Sequence, residues 1–208
     1  MKKYFKNIKD KNFIISIILL LGGQGLLFVL VKLFQSNYHV FNYYIDSKIP
    51  FIPYMIIIYN LFYPMIFISF YNIFNRDKDT YYKGIIAGIL GYIIADIIFL
   101  LYPVEMIRPD ITNLNIDVIN NFILQLTYKI DNPPINCFPS IHCIFCFQAI
   151  YSIIKCKNYN YKFISIFILF LIIISTLLVK QHYVIDVLGA LVVVIITNFI
   201  VYLIKRKK

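Results

Sequence analysis

The sequence contains no tryptophan, only three histidines and few charged residues. Asp, Glu, Lys and Arg make up 14% of its 208 residues, whereas hydrophobic residues make up 61%. Soluble domains carry about a quarter of their residues as charges, and this chain could not bury so much apolar surface in water. The shortage of charge therefore excludes a soluble globular domain and favours a membrane protein. The 18 tyrosines are left to form the interfacial aromatic belt.

Acidic residues are also scarce, with 10 Asp and Glu against 20 Lys and Arg, so that the net charge is +10. A basic balance can indicate a nucleic-acid partner. Here, however, the basic residues lie at the ends of apolar segments and form no stripe, which is the membrane pattern. We expect the bilayer as a partner and no nucleic acid.

Six apolar segments reach or approach the length of a membrane span, which is about 20 residues with a lower limit near 17. Each must be helical in lipid, because no water is present to satisfy the backbone. We predict an all-α fold, a polytopic membrane bundle of about six transmembrane helices, with residues 1–208 as a single domain. The segments are Phe13–Phe34, Tyr54–Phe74, Gly84–Leu101, Phe138–Ile154, Phe163–Val179 and Val184–Ile204.

The distribution of basic residues predicts the orientation. Fifteen of the 20 lie before the first segment, in alternate loops and after the last segment. Basic residues concentrate on the cytoplasmic side of membrane proteins, so both termini are predicted to be cytoplasmic. We therefore expect a multi-pass protein of the cell membrane. The other five are Lys32, Lys48, Arg108, Lys129 and Lys180.

In this topology three polar segments lie at one membrane depth on the extracytoplasmic side. Two of them carry cations, Arg108 and Lys180, which suit a phosphate or carboxylate ligand. Ser140 can donate a hydrogen bond to an anionic oxygen, and the start of the fourth helix adds backbone N–H groups. The segments are Arg108-Pro109, Pro139-Ser140-Ile141-His142, and Lys180-Gln181-His182 with Asp186.

The spacing of His182 and Asp186 predicts a catalytic pair. Residues four apart on a helix share one face, so the carboxylate can accept the imidazole Nδ1 proton and leave Nε2 free to attack. His142 can then act as general acid. One histidine at a membrane interface is more often a plain hydrogen-bonding group, but the joint occurrence on one side favours phosphoryl transfer. No metal-ligand cluster is present, and no cofactor is expected.

These segments resemble the type 2 phosphatidic acid phosphatase superfamily. Its pattern has three motifs. The first is a Lys followed after six residues by Arg-Pro, and the second is Pro-Ser-Gly-His. The third is Ser-Arg, then a His after five residues and an Asp after three more. The matches lie within residues 101–190. The resemblance implies His182 as a nucleophile that forms a phosphohistidine, Asp186 as its partner and His142 as general acid, with Arg108 and Ser140 on the phosphate.

Three positions depart from the family pattern. The Lys of the first motif is Leu101, the Gly of the second is Ile141 and the Arg of the third is Thr176, so two cations are absent. Lys180 is our candidate for supplying one of these charges. The segment around His182 is similar to the branch with inositol phosphorylceramide synthases, so headgroup transfer between lipids is an alternative to hydrolysis. A non-catalytic lipid-binding or lipid-flipping membrane protein is a third possible function.

Two further features of the sequence are a cysteine pair and an amphipathic pattern in the long loop. Cys143 and Cys146 have C-x-x-C spacing, but they fall inside an apolar segment, where packing is the favoured interpretation. The long extracytoplasmic loop carries apolar residues at helical spacing, which predicts a short amphipathic helix on the membrane surface. The residues of that pattern are Ile119, Phe122, Ile123, Leu126 and Ile130.

Overall fold

The computed structural model describes residues 10–35 and 37–206, and this part of the chain is mostly helical. Its only strands are two of two residues each, β1 (His39–Val40) and β2 (Val104–Glu105), which pair in parallel. The α-helices of this part are α1 (Lys11–Ile17), α2 (Gly23–Lys32), α3 (Tyr44–Lys48), α4 (Ile56–Asn60), α5 (Phe62–Arg76), α6 (Lys78–Leu101), α7 (Val118–Ile130), α8 (Ile141–Lys155), α9 (Lys162–Leu178) and α10 (Val184–Arg206).

All six predicted apolar segments are helical. A π-helical turn, Ile18–Gly22, joins α1 to α2, and a 3₁₀ turn, Pro53–Met55, leads into α4 and α5. Among the described residues, four helical stretches are long and apolar enough to cross a membrane, whereas α8 and α9 are apolar but have only 15 and 17 residues. These findings agree with an all-α membrane bundle. The four candidate spans are Lys11–Lys32, Pro53–Arg76, Lys78–Leu101 and Val184–Arg206.

One end of the bundle is rich in basic residues. The Lys205 ammonium lies 2.9 Å from an Asp79 carboxylate oxygen, which joins the end of α10 to the start of α6. Arg76, the last residue of α5, donates to the carbonyl of Asn158 between α8 and α9 at 2.8 Å. Ser16 of α1 also contacts α6 at this end, because its hydroxyl lies 2.6 Å from that of Tyr81. Neighbouring segments therefore run in opposite directions.

The opposite end carries the long loops and all three polar segments. The β1–β2 pair joins the loop after α2 to the loop after α6. The Gln35 amide donates to the Phe99 carbonyl at 2.7 Å, and the backbone N–H of Ser140 donates to the Asp186 carbonyl at 3.1 Å. The convergence of these segments, inferred from charge alone, is thus present in the fold.

Helix α8 lies at the centre of the bundle, in contact with α5, α6, α9 and α10. The close approach of α10 to the segment before α8 depends on a glycine, because a Cβ at Gly189 of α10 would lie only 2.6 Å from the Phe138 ring. That contact brings the start of α8 against the start of α10. Cys143 and Cys146 are fully buried in the main apolar core, which confirms the packing interpretation.

The helix predicted in the long loop is present as α7. Its inner face packs Leu124 in a cluster with Tyr59 and Val179. Its outer face carries an apolar stripe, which we call the α7 stripe, formed by Val118, Ile119, Phe122, Leu126 and Ile130, all of them exposed.

Candidate active site

His182 and Asp186 form a buried pair. The Nδ1 atom of His182 lies 3.3 Å from Oδ2 of Asp186, and this oxygen also accepts the backbone N–H of Tyr183 at 2.8 Å. The Asp186 side chain is fully buried, and His182 is 8% exposed. A carboxylate placed in this way fixes the tautomer of the imidazole and leaves Nε2 with its lone pair.

His182 reaches this position from outside a helix. Helix α10 begins at Val184, as the predicted sixth segment does, so Asp186 lies in the helix whereas His182 lies two residues before it. The preceding loop is shaped by the Thr176 carbonyl, which accepts the backbone N–H of Gln181 at 2.9 Å and that of His182 at 3.2 Å. The turn around Lys180, whose φ is 50°, makes this possible.

The short helix α3 holds the start of α10. Oδ1 of Asp46 accepts the backbone N–H of Val184 at 2.8 Å. A carboxylate at a helix N-terminus satisfies a free N–H and favours the helix dipole. Asp46 therefore steadies the turn that carries His182.

His142 lies on the first turn of α8, facing His182. The two imidazole centroids are 5.8 Å apart. The Tyr59 hydroxyl lies 3.0 Å from Nε2 of His142, and the ring of Phe62 is 4.6 Å from its centroid. The imidazole of His142 is thus oriented by α4 and α5 and lies beside that of His182.

Ser140 is the N-cap of α8. Its Oγ accepts the backbone N–H of Cys143 at 3.2 Å, so Pro139 precedes the helix instead of occupying its first turn. A serine hydroxyl that accepts one bond still has its proton to donate. Ser140 is fully buried.

Arg108 is already occupied by an anion. Its guanidinium donates to the Asp131 carboxylate, to the backbone carbonyls of Tyr128 and Asp131, and to Oε1 of Gln181. It also lies over the Tyr128 ring, with Cζ 4.6 Å from the centroid. Lys32 approaches the same Asp131 carboxylate at 3.8 Å. The Arg108 guanidinium is therefore held by an anionic partner within the protein.

Lys180 does not point freely toward His182. Its ammonium donates to the backbone carbonyls of Asp46 at 3.1 Å and Ile49 at 2.6 Å. Burial lowers the pKa of the Lys180 amine from its ordinary value, and the nearby Asp46 carboxylate partly offsets this. Lys180 and Arg108 both line a cavity of about 320 Å³, which neither His142 nor His182 lines.

The two positions at which the family's cations are absent differ in their exposure to solvent. Leu101 is 79% exposed at the end of α6, whereas Thr176 is fully buried and its hydroxyl donates to the Ile173 carbonyl at 2.7 Å. Among the residues that the structure describes, no three His, Cys, Asp or Glu side chains come close enough to hold a metal ion.

Four residues at this site escaped the sequence argument: Asp46, Tyr59, Asp131 and Gln181. Each lies between 23 and 138 residues along the chain from the group that it contacts, and no periodic pattern marks them. Gln181 was visible as the neighbour of His182, but its contact with Arg108 depends on the fold.

The chain was compared with known proteins. A family model described as the PAP2 superfamily matches residues 33–200, a range that includes all three polar segments. No match was found among curated proteins or among solved structures.

Proposed function

Because the chain belongs to the PAP2 superfamily, whose members are in general phosphatases and phosphotransferases, we propose that it is a membrane enzyme acting on a lipid phosphate or diphosphate. Family membership, which the motif residues predicted, is confirmed over most of the chain. The proposed reaction passes through a phosphohistidine on His182. The observation that carries this proposal is the His182–Asp186 pair with His142 beside it.

In the first proposed step, Nε2 of His182 attacks the phosphorus atom, and an N–P bond forms as the bond from phosphorus to the leaving oxygen breaks. His142, which takes up a proton when the phosphate anion binds beside it, gives that proton to the leaving oxygen. Asp186 stabilises the positive charge that develops on the His182 ring. Tyr59 is a positioning residue, since it holds the ring of His142.

In the second step, water attacks the phosphorus of the phosphohistidine. His142 now takes a proton from the water, and the N–P bond breaks to release phosphate and free His182. Arg108, Ser140 and Lys180 are proposed to bind the phosphoryl oxygens. Arg108 does so once Asp131 has moved away, and the Lys180 ammonium, with two of its three donors on carbonyls, has one left.

We propose six transmembrane segments, with α8 and α9 completing the four longer ones. The basic end of the bundle and both termini would face the cytoplasm, because positive residues remain on that side. The active site would then lie at the extracytoplasmic face, with the α7 stripe in the bilayer interface. Residues 1–208 act in this proposal as one domain in the cell membrane.

Headgroup transfer to a second lipid alcohol is the second candidate function. The segment Gln181-His182-Tyr183 with Asp186 favours it, because this segment is similar to the branch that contains inositol phosphorylceramide synthases. Both candidates share the phosphohistidine and differ in the molecule that attacks it.

The test uses purified protein in detergent micelles or lipid nanodiscs with phosphatidic acid and a polyprenyl diphosphate. We expect release of inorganic phosphate by the wild type and none by His182→Ala. Adding a lipid alcohol and analysing products separates transfer from hydrolysis. Equal activity of the two proteins would exclude the covalent mechanism, and inactivity of both would favour a non-catalytic lipid-binding protein.

A further inference from the structure

Gln181 carries a buried donor that no described residue uses. Its side chain is 2% exposed, and its Oε1 accepts from the Arg108 guanidinium. A guanidinium can only donate, so the atom facing it must be the amide oxygen, and this fixes the orientation of the amide. The Nε2 atom of Gln181 is left with no hydrogen-bond partner within residues 10–35 and 37–206.

A second unused donor lies on the side chain that Gln181 contacts. Nη1 and Nη2 of Arg108 are engaged, but its Nε is buried and has no partner in the described part of the chain. Buried donors are nearly always paired, so two unpaired ones on touching side chains point to a missing acceptor. A group with several anionic oxygens meets this need, and phosphate is such a group.

The missing cation at Thr176 explains why a new donor is needed. Thr176 is fully buried and uses its hydroxyl within α9, so it offers nothing to a ligand. Its backbone carbonyl, however, holds the N–H groups of Gln181 and His182. Thr176 thus fixes the turn that places the Gln181 amide one residue before the nucleophile.

We propose that Gln181 binds the phosphoryl group, its Nε2 donating to an oxygen in place of the arginine that is absent at Thr176. In the resting protein, the Asp131 carboxylate holds Arg108, and the incoming phosphate replaces it. Asp131 is 30% exposed at the end of α7, so it can move toward water. This inference rests on the proposed function and assigns a further substrate-binding residue to the same site.

The test compares Gln181→Glu with Gln181→Met, and Gln125→Glu is the matched control on the exposed side of α7. Gln181→Glu keeps an oxygen for Arg108 but removes the N–H donor and sets a negative charge against the phosphate. Gln181→Met removes both the oxygen that accepts from Arg108 and the N–H donor, while keeping a side chain of similar volume. If Gln181 only supports Arg108, Gln181→Glu retains activity and Gln181→Met loses it.

We expect both Gln181 variants to lose about 10- to 100-fold in kcat/KM, the effect of one hydrogen bond to a charged group. Inhibition by inorganic phosphate should weaken by a similar factor in Gln181→Glu, with the thermal unfolding temperature unchanged. Gln181→Glu with wild-type kcat/KM and wild-type phosphate inhibition would overturn the inference while leaving the proposed function intact.

Failure of the proposed function itself would appear as a lack of hydrolysis by the wild type. If the wild type hydrolyses none of the lipid phosphates, thermal stabilisation by added inorganic phosphate takes the place of the kinetic measurement. Stabilisation of the wild type that is lost in Gln181→Glu supports the phosphate contact without catalysis. Absence of stabilisation in both proteins overturns the contact as well.

Discussion

The Asp186 carboxylate lies 3.3 Å from Nδ1 of His182 in a fully buried setting. The carboxylate can accept a hydrogen bond from the N–H of that nitrogen, whereas an asparagine amide can turn its own donor toward the ring and stabilise the opposite tautomer. We therefore expect Asp186→Asn to lower kcat by about 10³- to 10⁴-fold, as loss of an orienting carboxylate does in catalytic triads. Initial rates of phosphate release measure this.

Asp46 supplies the comparison for Asp186, since both carboxylates bind the backbone at the start of α10. Asp46→Asn keeps an oxygen for the Val184 N–H, so a much smaller loss is expected. If Asp186→Asn lost no more activity than Asp46→Asn, Asp186 would have a structural role alone.

The contact between Tyr59 and His142 predicts a moderate effect on catalysis. Tyr59→Phe removes the hydroxyl 3.0 Å from Nε2 of His142 and leaves the ring packing in place. We expect kcat to fall about two- to tenfold, the range for one neutral hydrogen bond, with a shifted pH–rate profile and an unchanged KM.

Tyr63→Phe is the control for Tyr59→Phe, because Tyr63 is a 58% exposed tyrosine near the start of α5. It should retain the wild-type pH–rate profile. An unchanged profile for Tyr59→Phe as well would contradict the positioning role of Tyr59.

Asp131 is expected to compete with substrate for Arg108. Asp131→Asn removes the competing charge, so KM for a lipid phosphate should decrease about two- to fivefold, the scale of a partly exposed ion pair. Asp110→Asn is the control, since the Asp110 carboxylate is exposed and bonds only to Thr112 among the described residues. An increase in KM for Asp131→Asn would show that Asp131 supports the site instead of competing for it.

The α7 stripe predicts a dependence on how the substrate is presented. Phe122→Asp places a charge on the exposed apolar face and should lower activity on bilayer-embedded substrate by about tenfold, because an aromatic side chain no longer inserts. Activity on a short-chain soluble phosphate should stay unchanged. Gln125→Asp adds the same charge at the polar edge of the stripe and should have little effect in either assay. Equal losses on both substrates would assign α7 a structural role.

Much of the fold follows from local properties of the sequence. The lengths of the apolar segments predicted the helices, and the positions of the basic residues predicted that the three polar segments lie at one end of the bundle. The spacing of His182 and Asp186 predicted their contact, even though the pair forms across a turn instead of within a helix. The amphipathic pattern predicted α7, which the structure bears out as Val118–Ile130.

The rest of the site depends on tertiary contacts between distant parts of the chain. Tyr59 and His142 are 83 residues apart, and Arg108 and Gln181 are 73 apart. Nothing in the local sequence of Asp131 indicates that it occupies Arg108. Likewise, Lys180 has the charge expected of a phosphate ligand, but the backbone carbonyls of α3 and the residue after it hold its ammonium.

A phosphohistidine on His182 is tested most directly by trapping it. Wild-type protein is mixed for milliseconds with ³²P-labelled lipid phosphate and quenched in alkali, which preserves phosphohistidine, before peptide mass spectrometry. We predict label on the peptide containing His182 in the wild type and no label in His182→Ala. Phosphate release by the wild type without label at His182, or release by His182→Ala at the wild-type rate, would contradict the mechanism.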